Sequence, residues 1–188
     1  AIMEERRLGG RFKSLTDFLE RMTGKEVNKR VVENLIKAGA LDSLGGTRQQ
    51  YILAYAGIMD SVAQSQKTMM TGQMSLFDLV DEDQKANFQA KLPDVGEYPK
   101  ELLLSFEKDV LGIYVSGHPL EEYEERWRKN ITAVTSDFQL DEETNQTRVR
   151  DGQQVVLGGM ITGKTVKYTK NNRVMAFLQL EDLLGAVE

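Results

Sequence analysis

Apolar residues recur every three or four positions through the first third of the chain, which predicts a run of short helices. Leu15, Phe18, Leu19 and Met22 share one face, and Ser14 with Asp17 three residues later resembles a helix start. Val31, Val32, Leu35 and Ile36 form a second stripe behind Asn28, a favoured capping residue; Ala38-Gly39-Ala40 ends it. After Gly45-Gly46, Thr47 and Gln50 have capping-box spacing, and Tyr51, Ile52, Tyr55, Ile58, Met59 and Val62 line a third helix. From Gln64 to Asp94 the chain is mostly Gln, Lys, Thr, Asp and Asn, too polar to bury its own surface. Pro99 suits the first position of a fourth helix, whose buried face reads as Leu102, Leu103, Phe106, Val110 and Ile113. Ser116-Gly117-His118-Pro119 breaks that helix, and a short one from about residue 120 to 129 sets Tyr123 and Trp127 one turn apart.

At about Gln154 the period changes. Val155, Val156 and Leu157, then Met160 and Ile161, lead to Val166; Lys170-Asn171-Asn172 signals a turn. Val174, Ala176, Leu178 and Leu180 predict the next strand, with Phe177 on its other side. Asp182 to Gly185 makes another turn, and Ala186-Val187-Glu188 begins a third strand. The expected fold class is mainly α with a small β part. Strands that start and then stop leave an edge over residues 174–188, and residues 1–7 read as the back half of a helix with no cap. Both ends therefore suggest a piece of a longer chain.

Composition narrows the classes. There are 188 residues, 40% hydrophobic, enough for one or two small domains. No cysteine is present, so disulfides and thiolate metal sites are excluded, in keeping with a reducing, intracellular setting. No apolar run is long enough to span a membrane. The net charge of −5 is uneven: residues 1–50 carry 10 Lys and Arg against 7 Asp and Glu, and residues 51–150 carry 10 against 18. A phosphate-bearing partner would meet the ends of the chain rather than its middle.

Inside the polar stretch, Gln73-Met74-Ser75-Leu76-Phe77 places two large apolar side chains side by side. On residues alone two readings stand. The Leu76-Phe77 pair folds back onto this chain, or another protein buries it, at about 1.5–3 kcal/mol per side chain before entropy is charged. His118, the only histidine, has no second His or Cys with which to bind a metal and reads as a cap or a buried hydrogen-bonder. Trp127 reads as packed, with Arg126, Arg128 and Lys129 complementing a helix C-terminus. Asp81-Glu82-Asp83 and Asp141-Glu142-Glu143 are charge runs in loops, not the rigid carboxylate cluster that two-metal phosphoryl transfer needs.

Three strings in order carry a resemblance. They are Asn28-Lys29-Arg30 leading to Ala38-Gly39-Ala40-Leu41-Asp42-Ser43-Leu44, then Gly72-Gln73-Met74-Ser75-Leu76-Phe77, then Leu111-Gly112-Ile113-Tyr114-Val115-Ser116-Gly117-His118-Pro119-Leu120. Over nearly its whole length the chain resembles the alpha subunit of bacterial DNA polymerase III, the C-family replicative polymerase, in a region C-terminal to the polymerase core. The resemblance implies four parts. Residues 1–63 would end a helix-hairpin-helix DNA-binding domain, and 64–98 would be a linker bearing a sliding-clamp motif. Residues 99–130 would be a helical connecting segment, and 131–188 a linker with the first strands of an oligonucleotide-binding (OB) barrel. It implies duplex and single-stranded DNA, the sliding clamp and other replicase subunits as partners. It implies DNA-directed DNA synthesis, with divalent Mg, for the parent; no catalytic centre or cofactor is expected in this stretch.

Residue by residue, Gln73, Met74, Ser75, Leu76 and Phe77 would dock on the clamp, Leu76 and Phe77 filling an apolar pocket while Gln73 sets register. Arg6, Arg7, Arg11 and Lys13, the denser basic patch, would meet duplex phosphates, as would Lys29 and Arg30, which read equally as a solvated face. The hairpin Ala38-Gly39-Ala40-Leu41-Asp42 has a single Gly, and Asp42 repels phosphate, so a packing role competes with DNA contact there. Lys164, Lys167, Tyr168, Lys170 and Arg173 would meet single strands, and Phe177 is either a stacking platform or core. Two rivals stay open: a scaffold touching only other polymerase parts, and the OB-type RNA-binding module of an aminoacyl-tRNA synthetase.

Overall fold

Three predicted caps are formed. Ser14 Oγ accepts from the Asp17 N–H (3.1 Å) and Asn28 Oδ1 from the Val31 N–H (3.0 Å). Thr47 and Gln50 form the reciprocal box: Gln50 N–H donates to Thr47 Oγ1 (3.2 Å), and Thr47 N–H donates to Gln50 Oε1 (3.0 Å). These caps start α2 (Leu15–Met22), α3 (Lys29–Lys37) and α4 (Arg48–Met70), which follow α1 (Ile2–Gly9). The computed structural model describes residues 1–25, 27–70, 91–142 and 144–188. They fall into two compact units, Ala1–Val115 and Ser116–Glu188.

In the first unit the predicted stripes meet. Leu15, Phe18, Leu19 and Met22 from α2, Val32 and Ile36 from α3, and Tyr51, Ile58 and Val62 from α4 form one core; Leu41 comes from the turn between α3 and α4. Val31 lies at its edge, 36% exposed. Burying each large side chain stabilises by about 1.5–3 kcal/mol, so these residues dominate the unit. The helix α4 continues to Met70, beyond the point where the polar stretch begins. The next described stretch starts at Lys91 and reaches α5 (Lys100–Leu111).

The buried face of α5 differs from the predicted one. Leu104 and Glu107 are buried, whereas Leu102 is 38% and Ile113 61% exposed. The helix stops at Leu111 because Gly112 takes a left-handed φ of 78°, earlier than the Ser-Gly-His-Pro string. Phe106 lies edge-on to Tyr98 (centroids 5.4 Å), with Lys37 Nζ over its ring.

In the second unit a 3-10 turn (Glu121–Tyr123) runs into α6 (Glu124–Asn130), and a second 3-10 turn spans Thr135–Phe138. An antiparallel sheet of order β1-β2-β3 follows: β1 (Met160–Tyr168), β2 (Val174–Glu181) and β3 (Ala186–Val187). Strand pairing begins at Met160 rather than near Gln154. Val156 instead bonds to Thr132, accepting its N–H at 2.9 Å and donating to its Oγ1 at 2.8 Å. Because β2 is central, the open edges of the sheet belong to β1 and β3. A mainly α fold with a small β part is what the sequence predicted.

Candidate nucleic-acid interface

Helix α1 and the connector to α2 carry the basic patch. Arg6, Arg11 and Lys13 are exposed; Arg7 pairs with Glu4 at 2.6 Å on the surface. Between Arg11 and Lys13, Phe12 turns inward against Phe18 (5.0 Å, edge-on) and under the Arg21 guanidinium (4.3 Å). Arg21 also pairs with Glu5 (3.1 Å) and donates to the Glu5 and Gly10 carbonyls. Lys25 holds the other oxygen of Glu5. Hydrogen bonds from Lys25 and then Arg21 hold the Glu5 carboxyl below the ordinary carboxylate value. Arg21 is thus a fastener between α1 and α2, and its neighbours Arg11 and Lys13 face solvent.

Lys29 and Arg30 occupy the first turn of α3, both exposed; Lys29 pairs with Asp60 of α4 at 2.7 Å. Exposed pairs of this kind are worth about 0–1 kcal/mol, so Arg7 and Lys29 can trade their carboxylates for phosphate at little cost.

The hairpin at residues 38–42 has its groups committed elsewhere. The Ala38, Gly39, Ala40 and Asp42 N–H groups donate to the Asn34, Ile36, Leu35 and Gly39 carbonyls. The Asp42 carboxylate is gripped by Arg48 through Nε (3.1 Å) and Nη2 (2.8 Å). Arg48 is the residue that sequence reasoning missed. It is 5% exposed, opens α4, and also reaches the Lys37 carbonyl (3.2 Å) and Glu107 (3.0 Å). Four of the five amides of this hairpin are thus bonded within it and to α3, and its acid is paired with Arg48.

The strand candidates divide between two faces. The register pairs Lys164 with Leu178, Val166 with Ala176 and Tyr168 with Val174 on one side of the sheet. Thr165 pairs with Phe177 and Lys167 with Met175 on the other, where Lys167 Nζ sits 4.9 Å from the Phe177 ring centre. Lys170 and Arg173 flank the tight turn, closed by the Thr169 N–H to Arg173 O bond (2.8 Å), and are exposed. The five predicted residues therefore do not form a single platform: Tyr168 and Lys164 share one side, while Lys167 joins Phe177 on the other.

The clamp candidates Gln73, Met74, Ser75, Leu76 and Phe77 lie outside the described residues. His118 acts as a local cap: Nδ1 accepts the Leu120 N–H (3.1 Å), and its own N–H donates to Glu121 (2.9 Å). Trp127 is buried and donates from Nε1 to the Gly158 carbonyl (2.7 Å), with Arg128 paired to Glu124. Asp141 accepts from Thr144 in a turn. Among the described residues no group of three or more His, Cys, Asp and Glu could hold a metal, and no helix is long and apolar enough to cross a membrane.

Residues 1–51 match a family model described as a helix-hairpin-helix motif. The full 188 residues are 34% identical to DNA polymerase III subunit alpha of Vibrio cholerae, of which they cover 15%. The subunit of that name from Thermus aquaticus is 35% identical over the whole chain (14% of the relative), and that from Saccharopolyspora erythraea 36% over 95% of the chain (15% of the relative). The chain thus spans about 15% of the length of the relatives it matches.

Proposed function

Since the chain belongs, along its whole length, to the family of DNA polymerase III alpha subunits, we propose that it serves a replicative polymerase as a DNA-holding and clamp-docking region C-terminal to the catalytic core. The observation that carries this reading is the helix-hairpin-helix match over residues 1–51, coinciding with the exposed basic side chains of α1, its connector and the start of α3. Arg6, Arg7, Arg11, Lys13, Lys29 and Arg30 neutralise duplex phosphates there. Binding of that kind weakens as salt rises, by roughly one log-log unit per phosphate contact.

Gln73-Met74-Ser75-Leu76-Phe77 docks on the sliding clamp as an extended peptide, Leu76 and Phe77 supplying the apolar contact. The sheet of the second unit opens an OB-type domain that meets single-stranded template through Lys164 and Tyr168 on one side, with Lys170 and Arg173 at the turn. DNA synthesis with Mg belongs to other parts of the polymerase, in the cytoplasm, alongside the remaining replicase subunits.

Two measurements test this. Charge reversal at Arg6, Arg7 and Lys13 should weaken duplex binding at low salt and flatten its salt slope; no binding by the parent chain at low salt refutes the DNA role. Leu76→Ala with Phe77→Ala should abolish retention on immobilised clamp, and unchanged retention removes the docking role. A second reading, a scaffold that touches only polymerase parts, is favoured by the bonded amides of Ala38, Gly39, Ala40 and Asp42. It predicts no DNA shift at any salt.

A further inference from the structure

Helix α4 ends at Met70, and the described stretch that begins at Lys91 lies against the opposite end of that same helix. Leu92 packs on the core and close to Gly46. Gln50 Nε2 donates to Pro93 O (3.0 Å) and Thr47 Oγ1 to Gly96 O (3.2 Å). Glu97 accepts the first two N–H groups of α4, from Arg48 (2.8 Å) and Gln49 (3.1 Å), where a carboxylate also meets the positive end of the helix dipole. Then α5 delivers Glu107, fully buried, to Arg48; its second oxygen accepts the Val115 N–H at 2.7 Å.

The helix is about 33 Å long at ~1.5 Å per residue. Residues 93–97 are fixed at its first turn by hydrogen bonds with Thr47, Arg48, Gln49 and Gln50.

The geometry points to a latch. Arg48 holds the 91–115 arm on the helical body through Glu107, with Glu97 as a second catch. Arg48 has one charge and faces two carboxylates in different places. Asp42 belongs to the body and its side chain is half exposed; Glu107 belongs to the arm and is buried. Neutralising Asp42 leaves the Arg48–Glu107 pair intact. Neutralising Glu107 leaves Arg48 satisfied by Asp42 while the arm loses its charged hold. Truncating one partner of a buried pair is costly, whereas an exposed partner is cheap to lose. The inference is independent of what residues 73–77 bind.

Hydrogen exchange on the whole chain tests it. Glu107→Gln should speed amide exchange in α5 by about tenfold or more, leaving α2 and α3 unchanged, and Asp42→Asn should leave α5 protected. Unchanged α5 exchange in Glu107→Gln, or equal acceleration of α2, α3 and α5, overturns the latch. Because the chain has no cysteine, spin labels on Gln64→Cys and Asp109→Cys give a second readout. The distance between α4 and α5 should be single and narrow in the parent background. It should broaden when Glu97→Gln is added to Glu107→Gln. An unchanged distribution in the doubly neutralised chain overturns the proposal.

Discussion

Asp182 offers the sharpest test of how the second unit holds together. Only 2% exposed, it accepts four hydrogen bonds: Thr135 N–H (2.8 Å), Thr135 Oγ1–H (2.6 Å), Leu184 N–H (2.8 Å) and Gly185 N–H (3.1 Å). It therefore ties the 3-10 turn at Thr135–Phe138 to the turn between β2 and β3, across 47 residues of sequence. Asp182→Ala strands the buried Thr135 N–H, at about 1–3 kcal/mol, and frees a hydroxyl and two half-buried turn amides at roughly 0.5–1 kcal/mol each. The loss is about 3–5 kcal/mol. A unit of this size commonly has ~4–11 kcal/mol to lose, at ~0.05–0.15 per residue. Asp182→Asn keeps one oxygen but turns an NH2 toward the Thr135 N–H, so it should lose about 2 kcal/mol, less than Ala. Trp127, the only tryptophan, lies in this unit, so its emission during urea unfolding reads this unit selectively. With a slope of about 1–3 kcal/mol per M, Asp182→Ala should lower the midpoint by at least ~1 M, and Asn by less. A midpoint within ~0.3 M of the parent for both variants, at equal slope, would refute the argument that these bonds organise the unit.

Other outcomes follow from single contacts. Gly39→Ala should destabilise the first unit by about 2 kcal/mol or more in chemical denaturation, because Gly39 holds φ +75° and an added Cβ would sit 2.2 Å from Arg48 Nη2. Glu5 is held below 4.5 by Lys25 and Arg21. A carboxyl whose folded value is depressed contributes stability that is present above the unfolded value and is lost as pH falls through the folded one. Exchange protection of α1 should thus fall below about pH 4.5, and Glu5→Gln should remove most of that pH dependence. Tyr51→Phe leaves the Gly46 N–H without its 2.7 Å acceptor and should cost about 1 kcal/mol by thermal melts. Trp127→Phe removes the bond to Gly158 O at similar cost, measurable by circular dichroism.

Local chemistry made much of the fold readable from the chain. Ser14, Asn28 and the Thr47–Gln50 pair act on neighbours three residues away, and the α2, α3 and α4 stripes follow a period that burial enforces. The β1–β2 turn and the alternation of Val174, Ala176, Leu178 and Leu180 against Phe177 also follow from local rules. What stayed hidden is long-range and polar. Arg48 sits in a run of polar residues with nothing local to mark it, and its partner Glu107 arrives 59 positions later on another helix. Their pairing turns α5 so that Leu104 and Glu107 face inward, which hydrophobicity alone would not choose. Asp182 was legible as a turn residue but not as an anchor for Thr135. The division of Lys164 and Tyr168 from Lys167 depends on a register set only once the strands pair.

That register contains an irregularity between Ile161 and Gly163: Ile161 pairs with Leu180 and Gly163 with Gln179, leaving Thr162 as the surplus residue. Shortening β1 elsewhere would send every later side chain through to the opposite surface. Removing Thr162 would straighten the ladder and keep each partner, making it the position in that strand where evolution or an engineer can delete a residue without turning the sheet inside out.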